Sequence, residues 1–140
     1  MAEQKALAVA RADDEIVLAA DTVVVVGGDV LEKPLDSADA LRMLRQLSGR
    51  EHEVITGICL LSGSHKIVDA ATTRVRFVKL SEPEMTAYAA SGEPMDKAGG
   101  YAIQGLASKF IDRVEGCYFN VVGLPVALVY RHLKALGASL

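Results

Sequence analysis

The chain has 140 residues, of which 51% are hydrophobic and 24% are charged, and its net charge is −3. This composition is typical of one folded domain and excludes a disordered chain. No apolar run reaches the ~20 residues of a transmembrane helix, and the negative charge argues against nucleic-acid binding. Two cysteines are too few for a disulfide framework. We therefore expect reduced thiols, a cytoplasmic location, and neither membrane nor nucleic-acid partners.

The first part of the chain predicts a helix, a long strand and a hairpin. Residues 2–12 (AEQKALAVARA) have helical spacing of alanine and leucine, with no capping residue before them. Residues 16–26 (IVLAADTVVVV) are apolar and β-branched, which indicates a buried strand. Residues 27–29 (GGD) predict a tight turn into a short strand at residues 30–31.

The rest of the chain alternates helices with strands. In order, the patterns predict a helix over residues 37–47 capped by Ser37, strands over 52–61 and 66–80, a helix with a capping box at Ser81 and Glu84 that ends near Ser91, three or four short strands within 99–123, and a final helix with Pro125 as its first residue. The sum is an α/β fold with a mostly antiparallel or mixed sheet.

Asp21 is the first candidate functional residue. It is the one charged residue in the strand predicted over residues 16–26. A carboxylate in a buried strand is costly unless it is paired, hydrogen-bonded or bound to a metal. Two explanations of Asp21 are equally compatible with the sequence. It is either a strand-end aspartate that is hydrogen-bonded to a neighbouring loop or a functional residue.

Two further segments carry candidate anion-binding groups. Lys33 follows the hairpin and precedes a proline, where a lysine is solvated or holds a phosphate. Asp96 and Lys97 precede the pair Gly99–Gly100, which either forms a simple turn, as most such pairs do, or lets its backbone N–H groups approach an anion closely. Gln104 has a donor and an acceptor on one amide, which suits a base edge, although a structural role at a strand end is also compatible.

Five stretches in this order resemble one known family. They are ADTVVV (residues 20–25), LEKP (31–34), MLRQLSGREHEV (43–54), SGEPMDKAGGYAIQG (91–105) and NVVGLP (120–125). Together they closely resemble the Maf family of nucleotide pyrophosphatases, in particular its dTTP/UTP pyrophosphatase branch. The resemblance implies hydrolysis of dTTP or UTP to the monophosphate and pyrophosphate, with a divalent cation (Mg²⁺ or Mn²⁺) as cofactor. It also implies a homodimer and an elongated α/β fold like that of inosine triphosphate pyrophosphatases, with a mixed sheet and a cleft between two lobes.

The resemblance gives roles to seven residues of this chain. Asp21 matches the family's catalytic aspartate, which accepts a proton from the attacking water; the sequence leaves open whether it is the base or holds the metal. Thr22 and Gln104 match positions linked to pyrimidine choice. The remaining matches are expected to bind substrate: Lys5, Lys33, Asp96 and Lys97.

The chain departs from the family at its start. Family members begin with a strand and a loop of the type Ser-x-Ser-Pro-Arg-Arg, followed by a glutamate, and nothing before Lys5 matches them. We therefore expect a single domain over residues 1–140 that lacks an N-terminal segment of about fifty residues. The alternative to an active enzyme is an inactive nucleotide-binding or regulatory fragment of the same fold.

Overall fold

The computed structural model describes residues 2–7 and 15–137. Its helices and strands are, in chain order, α1 (Ala2–Leu7), β1 (Ile16–Val26), β2 (Asp29–Leu31), α2 (Ser37–Leu47), β3 (Glu51–Ser62), β4 (His65–Phe77), α3 (Glu82–Ala90), β5 (Ile111–Glu115), α4 (Tyr118–Val122) and α5 (Val126–Ala135). Three short 3₁₀ helices connect α3 to β5, at Glu93–Asp96, Ala98–Gly100 and Leu106–Phe110. This α/β architecture confirms the predicted fold class. None of the helices within the described ranges has the length and hydrophobicity that a membrane crossing needs.

The described strands form one antiparallel sheet in the order β2-β1-β3-β4-β5. β1 pairs with β3 along almost its whole length, from Ile16↔Ser62 to Val25↔Glu53. β2 is much shorter and pairs with β1 only from Val24↔Leu31 to Val26↔Asp29. The first part of β1 therefore runs past the end of β2, and its outer edge is open within the described chain.

Alternate residues of the sheet pack into two separate cores. Val24 and Val54 belong to the main core, where the sheet packs against α2, α3 and the 3₁₀ segments. Cys59 and Leu61 pack with Ala2 and Ala6 of α1 in a smaller core. Because successive strand residues point to opposite faces, α1 covers the face of β1 and β3 that is opposite the main core.

The middle elements match their predictions with two corrections. Asp36, rather than Ser37, is the N-cap of α2, because its side chain accepts the Asp39 N–H. β4 ends at Phe77 rather than at residue 80, because β3 begins at Glu51 and leaves no strand partner beyond it. The capping box at Ser81 is confirmed.

The glycine-rich segment over residues 99–123 was wrongly predicted as three or four strands. It contains one strand, β5, together with 3₁₀ turns and the helix α4. Gly99 and Gly100 have positive φ values of 73° and 72°, which extended strands do not use. The first predicted helix is present as α1, whereas residues 8–12 of that prediction lie outside the described chain. Pro125 caps the final helix rather than beginning it.

Candidate active site

Six of the seven predicted site residues line one cavity of about 230 Å³. The six are Lys5, Asp21, Thr22, Lys33, Asp96 and Lys97. They come from α1, β1, the loop after β2 and the segment after α3. The structure thus brings together residues that are up to 92 positions apart in the sequence. A second cavity of about 360 Å³ shares four of them and adds Glu32.

The open edge of β1 explains why two adjacent residues reach one cavity. Asp21 and Thr22 point to opposite faces of the sheet, as neighbours in a strand do. Both precede Val24, where pairing with β2 begins. Because no described strand covers this edge at Asp21, a cavity beside it is in reach of both faces. The side chain of Asp21 lies on the face covered by α1, and that of Thr22 lies on the main-core face.

Asp21 is paired with Lys5. Lys5 Nζ donates to Asp21 Oδ1 at 2.8 Å and to the Ala20 carbonyl at 3.3 Å. The Lys5 side chain is 54% exposed and that of Asp21 is 21% exposed. The carboxylate is therefore neither buried nor fully solvated, and an ion pair this exposed is weak enough for Lys5 to bind another anion in its place.

Asp96 and Lys97 form a second pair at the cavity. Lys97 Nζ donates to Asp96 Oδ1 at 2.7 Å. This hydrogen bond lowers the pKa of Asp96, and the charge of Lys33 lowers it slightly further. The cavity wall thus contains three lysines against two aspartates, a positive excess within a chain whose net charge is −3.

The glycine pair fixes this wall instead of binding an anion. The Gly99 N–H donates to the Glu32 carbonyl at 3.1 Å, and the Gly100 N–H donates to the Lys97 carbonyl at 3.0 Å. A Cβ on Gly99 would lie 2.6 Å from the Val24 side chain. Of the two alternatives for this glycine pair, the turn is therefore confirmed and the anion-binding one is not. Their bonds and close packing hold the Lys97 segment against β1 and the Lys33 loop.

Gln104 lies apart from the other six residues. It lines a small neighbouring cavity of about 60 Å³, together with Lys97, Tyr101 and Val121, which also line the main cavity. The side chain of Gln104 is exposed and has no hydrogen-bond partner within the described chain. The geometry is compatible with Gln104 contacting one end of a ligand whose other end occupies the main cavity.

The sequence did not indicate the buried polar residues that support Thr22 from β3 and α4. Thr22 Oγ1 is hydrogen-bonded to Thr56 Oγ1 at 2.9 Å, because the two threonines are directly opposite in the β1–β3 register. The Asn120 side-chain amide donates to the Val54 and Ala71 carbonyls and to Thr73 Oγ1, each at 3.1 Å. Thr56 and Asn120 are fully buried. The NVVGLP motif contained Asn120, but only the strand register could have indicated Thr56.

A buried His52–Tyr101 pair was also missed. His52 Nε2 and the Tyr101 hydroxyl are 2.6 Å apart, and the Tyr101 ring lines the cavity. Burial lowers the pKa of His52 to about 4 and raises the pKa of Tyr101 well above its usual range. Both groups are therefore neutral near pH 7, so they support the cavity wall without adding charge.

The acidic residues of the site do not form a complete metal cage. Within residues 2–7 and 15–137, no three His, Cys, Asp or Glu side chains cluster closely enough to hold a metal ion. Asp21 and Asp96 line the main cavity. Since Mg²⁺ is usually held by one or two carboxylates and by substrate phosphates, this donor set fits a cation that arrives with a phosphorylated ligand.

Comparisons with known proteins agree with the resemblance. Residues 1–136 match the family described as Maf-like protein. Proteins named dTTP/UTP pyrophosphatase from Koribacter versatilis (strain Ellin345), Syntrophomonas wolfei subsp. wolfei and Deinococcus radiodurans are 51%, 50% and 49% identical to this chain. The alignments cover 98%, 100% and 99% of this chain and 72%, 76% and 72% of the three relatives. The chain belongs to the Maf family.

Proposed function

We propose that this protein hydrolyses dTTP and UTP to the nucleoside monophosphate and pyrophosphate. The observation that carries the proposal is the cavity in which Asp21 lies with Lys5, Lys33 and Lys97. A triphosphate needs its charge neutralised and a water molecule activated, and these residue types supply both functions. The names of the relatives support the choice of dTTP and UTP.

In the proposed reaction, a water oxygen attacks the α-phosphorus of the triphosphate. The new bond joins that oxygen to phosphorus, and the bond from the α-phosphorus to the α–β bridging oxygen breaks. Pyrophosphate leaves with the electron pair of the broken bond. The carboxylate of Asp21 accepts the proton of the attacking water. The three lysines of the cavity stabilise the charge on the phosphate oxygens.

The Lys5–Asp21 pair gives substrate binding a role in making the Asp21 carboxylate available. Without substrate, the ammonium of Lys5 is bonded to the carboxylate at 2.8 Å. A triphosphate carries more negative charge than one carboxylate, so it competes for this exposed lysine. Lys5 then moves to phosphate, and the Asp21 oxygen that it leaves becomes available to the attacking water.

A divalent cation, Mg²⁺ or Mn²⁺, is the proposed cofactor. Asp21 is the carboxylate that would hold it, with the triphosphate supplying further oxygen ligands. When bound, such a cation neutralises phosphate charge. Asp21 as base and Asp21 as metal ligand are both compatible with the geometry, and a metal titration described below distinguishes them.

Pyrimidine choice is proposed to rest on Thr22 and Gln104. The amide of Gln104 can donate to the O4 atom and accept from the N3–H group of uracil or thymine. In cytosine the hydrogen-bonding roles of these two positions are reversed, because it has an amino donor at position 4 and an acceptor at N3. The hydroxyl of Thr22 faces the main cavity from β1, next to the small cavity at Gln104, and is hydrogen-bonded to Thr56.

The expected homodimer and location are proposals as well. Exposed apolar side chains on α4 and α5 support self-association; they are Tyr118, Phe119, Val122, Val126 and Tyr130. Light scattering at assay concentration tests it, and a monomer would contradict it. Cys59 and Cys117 are free thiols, which favours a reducing compartment, and we propose the cytoplasm.

The decisive experiment measures pyrophosphate release from dTTP, UTP, CTP and dATP in the presence of Mg²⁺ or Mn²⁺. We expect release from dTTP and UTP, and much slower release from the other two. A nucleotide-induced rise in melting temperature without pyrophosphate release would support the inactive nucleotide-binding alternative instead. Equal rates with all four nucleotides would contradict the proposed base selectivity.

A further inference from the structure

The segment that contains Gln104 is fixed at both ends by side chains of another segment. The Ala102 N–H donates to the Tyr88 hydroxyl at 3.0 Å. The Leu106 N–H donates to both carboxylate oxygens of Glu93, at 3.0 and 3.1 Å. A turn closes between these anchors, where the Gly105 N–H donates to the Ala102 carbonyl at 3.0 Å. Gln104 lies inside this turn.

The two anchoring residues are linked through Ser91. Burial, and after it the nearby Glu93 carboxylate, raises the pKa of Tyr88 above its usual range. The Glu93 N–H donates to Ser91 Oγ at 3.3 Å, and Ser91 Oγ donates to the Tyr88 carbonyl at 2.6 Å. These bonds hold the backbone of Glu93 at the start of the 3₁₀ helix that ends at Asp96, and the Leu106 N–H holds its carboxylate.

Gly105 leaves the space that this contact occupies. A Cβ on Gly105 would overlap Glu93 Oε1 and would lie 2.6 Å from Glu93 Cδ. The φ value of Gly105 is −105°, which other residues tolerate, so a side chain here would fit only by displacing the Glu93 carboxylate. The glycine of the sequence AIQG thus lets the carboxylate approach the backbone next to Gln104.

We propose that Glu93 and Tyr88 are positioning residues for Gln104, and through it for the choice of the pyrimidine base. This inference rests on the proposed function. The side chain of Gln104 is exposed and no described side chain holds its amide, so the backbone sets the region that the amide can reach. The backbone on both sides of it is held by Tyr88 and Glu93. Neither anchor lines the main cavity or the small cavity at Gln104.

The test compares the ratio of kcat/KM for UTP to kcat/KM for CTP in a set of variants. Glu93→Ala is expected to lower this ratio by about tenfold, because a misplaced amide loses its directional bonds to the base. Glu93→Gln keeps a carbonyl acceptor for the Leu106 N–H and should lose less. The double variant Glu93→Ala with Gln104→Ala should be no less selective than Gln104→Ala alone, because both changes remove the same contact.

Two further variants keep the inference falsifiable. Glu82→Gln is the matched control, because its carboxylate is bonded to Arg45 on the surface and should leave the ratio unchanged. If Glu93→Ala fails to fold, Tyr88→Phe removes one anchor and retains the ring, and a severalfold loss of the ratio is expected.

The outcomes separate this inference from the proposed function. An active wild-type protein whose Glu93→Ala variant slows equally on UTP and CTP would overturn the inference, since a merely structural role moves both rates together. Additive losses in the double variant would overturn it as well. A wild-type protein that releases no pyrophosphate from dTTP or UTP would overturn the proposed function, and the inference with it.

Discussion

Asp21→Asn is expected to leave the stability of the fold almost unchanged. The ion pair it removes joins a side chain that is 54% exposed to one that is 21% exposed. Exposed pairs of this kind contribute about 0–1 kcal/mol to the free energy of unfolding. An asparagine also retains an oxygen that accepts the Lys5 hydrogen bond. The change in unfolding free energy, measured by urea titration, should therefore stay below about 1 kcal/mol.

The same substitution is expected to remove most of the turnover. Loss of a general base typically costs ~10²-fold or more, which is about 3 kcal/mol of activation free energy. The rate of pyrophosphate release from dTTP measures this loss. Asp69→Asn is the matched control, because Asp69 is bonded to His132 at 2.8 Å and does not line the cavity. Near-normal turnover in Asp21→Asn, or an equal loss in Asp69→Asn, would refute a specific role for Asp21.

A metal titration of Asp21→Asn distinguishes the two roles of this carboxylate. If Asp21 holds the cation, the variant has a weaker metal site, so excess Mn²⁺ should restore much of the turnover. If Asp21 accepts the proton, saturating Mn²⁺ cannot replace it, and turnover should stay low at every metal concentration. Raising the pH should then restore part of the rate, because hydroxide needs no base.

Three further predictions concern selectivity and stability. Gln104→Ala should lower the ratio of UTP to CTP turnover by an amount equivalent to about 1–3 kcal/mol, measured as kcat/KM for both nucleotides. Asn120→Ala should lower the free energy of urea unfolding by about 2–4 kcal/mol, because it removes buried hydrogen bonds to three acceptors. Because burial lowers the pKa of His52 from 6.5 to about 4, the unfolded state binds its proton first as the pH falls. Stability should therefore decrease between about pH 6.5 and pH 4, by up to about 1.4 kcal/mol per pH unit for this group, and His52→Phe should remove that contribution in urea titrations.

The regular elements were predictable because local patterns dominate them. The eleven-residue run of β1 and the turn after it were placed correctly, since β-branched residues and a glycine pair allow few other structures. The segment from 99 to 123 was not predicted correctly. Glycines with positive φ form turns in it, and its apolar residues pack within those turns. The hydrophobic pattern of a short sequence window does not distinguish such turns from short strands.

The buried supports of the site depend on pairing that a linear sequence does not display. Thr56 is relevant only because it is directly opposite Thr22, and a register shifted by one residue would point it to the other face. His52 and Tyr101 are 49 positions apart and meet only through the packing of the main core. In the sequence, such residues look like ordinary members of the core. Only the folded structure shows that they contact the site.

The location of the site, by contrast, follows from the length of the hairpin. The turn at Gly27 and Gly28 fixes where β2 begins, and β2 ends at Leu31, shortly before Pro34, which has no backbone N–H to donate. Pairing extends from Val26↔Asp29 only to Val24↔Leu31, so Asp21 lies beyond it on an edge that no described strand covers. A longer β2 would cover that edge and would separate the two faces of β1. We infer that the short hairpin is what places a carboxylate from one face and a hydroxyl from the other beside the same cavity, and the two side chains come from adjacent residues for that reason.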